Sequence, residues 1–110
     1  MKTRSLILAG LLIATTFVAR AGNDEKDVFT VKGKCGSCEK RIEKAALSVD
    51  GVSSAVWDEA TQKITVDFDD AKTNRTNIEK AIAKVGHDTE KCKATDEAYE
   101  KLPGCCKYNR

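Results

Sequence analysis

The chain has 110 residues and a formal net charge of +2 at neutral pH. That length allows one small domain behind an apolar leader. So weak a charge gives no footing for nucleic acid, which needs a concentrated basic face.

The opening MKTRSLILAGLLIATTFVARAG sets Lys2 and Arg4 before an apolar run from Leu6 to Val18. Ala19 and Ala21 then form an A-x-A cleavage pattern. Together these predict a secretory signal peptide over residues 1–21. The run is too short for a membrane span, which takes about 20 apolar residues. Cleavage would remove Lys2, Arg4 and Arg20 and no acid, taking the charge from +2 to −1. The expected location is the periplasm or outside the cell, with no membrane insertion after cleavage. All five cysteines (35, 38, 92, 105 and 106) lie beyond the leader. An oxidising compartment lets such thiols pair, and an odd number leaves at least one without an intramolecular partner.

After a polar stretch at 23–27, VFTV (28–31) predicts a strand ended by Gly33. From Cys38, the spacing of Ile42, Ala45, Ala46 and Val49 predicts a helix stopped by Asp50-Gly51. Residues 52–57 predict a second strand, with Val52, Ala55 and Trp57 inward. Residues 63–68 predict a third, with Ile64, Val66 and Phe68 on one face. A second helix follows, its stripe Ile78, Ala81, Ile82 and Val85. Thr76 and Glu79 fit a capping box, with Asn74 the alternative cap. Gly86 ends that helix, and 87–93 predicts a weaker, polar edge strand. Residues 95–102 predict a short helix capped by Thr95 and stopped by Pro103-Gly104.

The order β-α-β-β-α-β is that of an α+β, ferredoxin-like sandwich, here with a short C-terminal helical tail. Right-handed crossovers put the strands in the order 4-1-3-2. Cys35, His87 and the 58–62 turn then share one end of the sheet.

Cys35-Gly36-Ser37-Cys38 closes that end at a helix start. Soft thiolates select Cu(I), Hg(II) or Zn(II). Two of them on a loop suit an open linear or trigonal site, whereas structural zinc needs four ligands. A thiol-disulfide oxidoreductase also places Cys-x-x-Cys at a helix start, but with a different strand order and usually a proline facing the sulfurs; here Pro103, the single proline, lies in the tail. A plain structural disulfide is the third reading. The helix N-terminus favours an anion, which predicts Cys38 as the more acidic thiol.

The stretch FTVKGKCGSCEKRIEKAALSVDGVSSAVWDEATQKITVDFD, with IEKAIAKVGH closing the second helix, resembles a heavy-metal-associated domain. On that resemblance residues 22–93 form the domain and 94–110 a cysteine-containing tail. Where the family usually reads Gly-Met-x-Cys, this chain reads Gly33-Lys34-Cys35, one residue shorter and without the methionine. The resemblance implies a non-enzymatic metallochaperone or metal scavenger. It would hold a soft ion, Cu(I) first and Hg(II) or Zn(II) next, on Cys35 and Cys38, and pass it to a partner such as a metal-transporting membrane protein. His87 is a candidate accessory ligand. Cys105 and Cys106 have two readings. They complete the metal site, or one of them pairs with Cys92. A tail helix of about 12 Å, at 1.5 Å per residue, leaves open whether they reach the tip.

Overall fold

The computed structural model describes residues 23–110; the signal peptide expected over 1–21 lies outside them. Strands β1 (Asp24–Thr30), β2 (Val52–Asp58) and β3 (Lys63–Asp69) form an antiparallel sheet in the order β1-β3-β2. Helix α1 (Gly36–Leu47) connects β1 to β2, and α2 (Arg75–Lys84) follows β3. A short helix α3 (Asp96–Glu100) and a 3-10 turn (Gly104–Cys106) follow. This is the ferredoxin-like fold expected from the element order. Among the described residues no helix is long and apolar enough to cross a membrane.

The core forms as the periodicity requires. Phe29, Ile64, Val66, Phe68 and Trp57 line one sheet face, and Ile42, Ala46, Ile78 and Ile82 close over it. Two helix positions differ from expectation, since Val85 is exposed and Ala83 takes the buried place. Strand β1 also starts earlier than its apolar residues suggest. Polar residues 24–27 pair with β3, and Lys26 reaches Asp67 opposite it at 3.3 Å.

The predicted fourth strand is reduced to a single antiparallel bridge, Val31 to Thr89. Glu79 gives the reason. Its side chain does not cap α2; Asn74 does, accepting from Asn77 N–H. Glu79 is instead buried, pairing with Arg75 at 2.7 Å. It also accepts from the Thr89 hydroxyl at 2.6 Å and from Lys91 N–H at 2.8 Å. Thr89 N–H then bonds Cys92 O at 2.7 Å, so the chain reverses where a strand would have run on. Ala94 N–H returns to Asp88 at 2.7 Å. The tail therefore starts back near the tip.

Gly86 lets the tail pack there. Its φ is 109°, and a Cβ on it would stand 2.8 Å from Ala98 O and 2.9 Å from a Leu102 methyl. The last residues are tied down by polar contacts. The Tyr108 hydroxyl donates to Gly86 O at 2.7 Å and accepts from Asp88 N–H at 2.9 Å. Arg110 grips the Asp88 carboxylate at 2.9 and 3.1 Å and donates to Ala94 O at 2.7 Å.

Candidate metal centre

Three loops build the tip. Gln62 adopts a left-handed φ of 61°. From there its carbonyl accepts from Val31 N–H at 2.8 Å and its side chain from Gly33 N–H at 3.0 Å. Lys32 N–H bonds Asp88 O at 2.9 Å. Trp57 anchors the underside by donating to Val31 O at 2.9 Å. Gly33 lies so close to this indole that a Cβ would stand 2.9 Å from the ring. Cys35 is the extended residue before α1, and Cys38 sits in its first turn.

The thiols gather around Cys35. Its Sγ is 3.6 Å from Cys38 Sγ and 3.6 Å from Cys106 Sγ. Cys105 Sγ is 4.0 Å from Cys106 Sγ. The sulfurs of Cys35, Cys105 and Cys106 all lie within 4.8 Å of one another. Cys38 and Cys106 are buried, Cys35 is partly exposed and Cys105 is exposed. The tail thiols thus reach the tip despite the short helix, because the reversal at Thr89–Cys92 shortens the way. All five cysteines are free, Cys92 included.

The acidity order is the reverse of the one read from helix position. The Ser37 hydroxyl donates to Cys35 across 3.3 Å and the Cys38 backbone N–H adds to it, bringing Cys35 down to about 6. Burial pushes Cys38 up to about 12. Desolvation costs an ion more than a helix terminus returns. At Cys106 burial opposes ionisation, but hydrogen bonds from Cys38, Ser37 and Arg41 outweigh it and lower the pKa. Arg41 Nη1 stands 3.2 Å from that sulfur. At neutral pH the centre therefore contains a ready thiolate, and soft ions bind thiolates.

His87 is placed differently from the thiols. It is fully buried, with Nδ1 2.8 Å from Lys32 O. Since a carbonyl only accepts, Nδ1 carries the proton and Nε2 is bare. Burial holds the ring neutral. The ring stacks on Tyr108 with centroids 5.6 Å apart. His87 thus braces the strand leading into the Cys35 loop and is not one of the clustered ligand atoms.

Residue-type reasoning missed Ser37 and Tyr108 and gave Glu79 a capping role. A hydroxyl between two cysteines at a helix start was the available signal for Ser37. Nothing in the local pattern marks the other two, since their partners are distant in sequence.

Comparison with known proteins agrees with this geometry. The family described as heavy-metal-associated domain matches residues 28–88. The copper chaperone CopZ of Staphylococcus aureus (strain bovine RF122 / ET3-1) is 31% identical over 64 residues, covering 57% of this chain and 94% of CopZ. Copper-transporting ATPase 1 of Rhizobium meliloti (strain 1021) is 36% identical over 95 residues, covering 83% of this chain but only 11% of the ATPase. The crystal structure of oxidized MerP from Ralstonia metallidurans CH34 superposes with a TM-score of 0.59 at 32% identity, covering 62% of this chain and 96% of that one. The sandwich, the loop-to-helix dithiol and these matches agree: the chain belongs to the heavy-metal-associated domain family.

Proposed function

We propose that this chain is a soft-metal carrier that holds Cu(I), or an ion of the Hg(II) class, on Cys35 and Cys38 and releases it by thiolate exchange. The observation that carries this reading is the pair itself. A partly exposed thiolate stands 3.6 Å from a second thiol at the start of α1. Cys35 binds the ion as the thiolate it already is, Cys38 gives its proton to solvent on binding, and an incoming thiolate displaces one sulfur at a time. Cys106 is an accessory ligand, 3.6 Å from Cys35. The similarity to a copper chaperone and to part of a copper-transporting ATPase supports copper as the cargo and a membrane pump as the receiver. The leader pattern favours work in the periplasm or outside the cell.

Titration of the reduced chain against a Cu(I) chelator tests this. Tight binding is expected, and Cys35→Ser with Cys38→Ser should abolish it. Unchanged affinity in that double variant would sink the reading. Thiol-disulfide exchange is the second reading, since a thiol brought to about 6 beside another also suits it. An insulin-reduction assay separates the two. A carrier gives no turnover beyond that of a free dithiol.

A further inference from the structure

One soft ion does not account for all the sulfur at this tip. Cys35 and Cys38 form an inner pair, with Cys106 3.6 Å from Cys35 and hydrogen-bonded to Cys38. Cys35, Cys105 and Cys106 form an outer triangle from which Cys38 is absent. The three sulfurs share one polar neighbour, the Ser37 hydroxyl. Ser37 Oγ lies 3.3 Å from Cys35 Sγ, 3.3 Å from Cys106 Sγ and 3.6 Å from Cys105 Sγ. Gly36 leaves its own side of the loop open, since a Cβ there would meet nothing within 4 Å.

Dimensions favour three-coordination there. With metal–sulfur bonds of about 2.3 Å, a linear ion holds its sulfurs about 4.6 Å apart and a trigonal ion about 4.0 Å. The outer sulfurs already span 3.6 Å and 4.0 Å along two edges. Charge argues the same way. Four thiolates around a single monovalent ion leave three negative charges, and Arg41 is the cation in contact with a sulfur. A second monovalent ion removes one of them.

We propose that the four thiols form one continuous sulfur surface that holds two Cu(I) ions, an inner ion on Cys35 and Cys38 and an outer ion on Cys105 and Cys106, with Cys35 shared between them. Cys35 binds as the thiolate it already is, every other thiol surrenders its proton to solvent on binding, and no electron is transferred. Cys105 is the exposed end of this surface, so the outer ion is the first to meet an incoming or departing ligand. The inference rests on the carrier reading, because the inner ion is that reading's cargo.

Anaerobic addition of excess Cu(I), supplied as its acetonitrile complex, to the reduced full chain tests it by native mass spectrometry. The expected result is a monomer carrying two ions. Cys105→Ser should carry one. X-ray absorption of the doubly loaded chain should show a copper–copper vector that the variant lacks. Saturation at one ion, two ions retained in Cys105→Ser, or two ions found only in a dimer would each overturn the inference and leave the carrier reading standing. A chain that binds neither Cu(I) nor Hg(II) would overturn both.

Discussion

Arg41 of α1 donates to Cys106 Sγ across 3.2 Å, joining residues 65 positions apart. The guanidinium both fixes the tail sulfur and favours its thiolate. Arg41→Gln removes the charge and keeps a polar side chain. Alkylation of Cys106 at pH 7, followed residue by residue by mass spectrometry, is expected to slow several-fold, while alkylation of Cys35 holds. Equal rates for Cys106 in both proteins would show that the contact does not act on that sulfur.

Cys35 is expected to alkylate first. With its pKa brought to about 6 and that of Cys38 pushed up to about 12, only Cys35 of this pair is largely thiolate at pH 7. The Cys35 rate should fall as pH drops through about 6, while Cys38 stays slow to high pH. Measurement in two chains, each keeping one cysteine of the pair, checks the order.

Glu79 is the most costly polar side chain to remove. Glu79→Ala leaves the Thr89 hydroxyl, Lys91 N–H and Arg75 without their acceptor. Breaking such a buried pair costs about 3 kcal/mol, which for a domain of this size lowers Tm by more than about 10 °C. The tail return is lost with it, so Cys106 in the variant should become openly reactive.

Acid should weaken the fold through Glu79 and Asp88. At each, burial opposes ionisation. Hydrogen bonds from Thr89, Arg75 and Lys91 outweigh it at Glu79, and those from Arg110 and Ala94 do so at Asp88; both pKa values end low. A carboxylate whose folded pKa is depressed stabilises above its unfolded value, near 4, and that contribution is lost as pH falls through the folded value. Urea midpoints at pH 7, 4 and 3 should decline in that order, and less steeply in Glu79→Ala.

The latch around Tyr108 offers a milder test. Tyr108→Phe keeps the stack on His87 but leaves Asp88 N–H and Gly86 O without the hydroxyl. A loss of about 1–2 kcal/mol is expected in urea unfolding. No change would mean that water replaces the hydroxyl without penalty.

Short-range patterns account for what was readable. Strand alternation and helix spacing placed Ile42, Trp57, Ile64, Phe68 and Ile82 in the core, where burial leaves little choice. Cys35 and Cys38 at the entry to α1 were readable for the same reason, as four consecutive residues define them. The tail was not. Its position depends on Glu79, whose partners Thr89 and Lys91 lie 10 and 12 residues on. A polar residue in the first turns of a helix reads as a cap, and nothing local marks it as buried. The acidity order failed because helix position is visible in sequence and the burial of Cys38 is not.

Cys35 and Cys106 stand 71 residues apart in a chain made from its N-terminus. At 5–20 residues per second, roughly 4 to 14 seconds separate their synthesis. Until the interval ends the nascent chain carries its Cys-x-x-Cys pair without Cys106, without the Tyr108 brace behind His87 and without Arg110 on Asp88. Maturation of the thiol cluster is thus a late event. Any thiol-reactive agent present during biosynthesis meets a different, more open centre from the one the finished molecule carries.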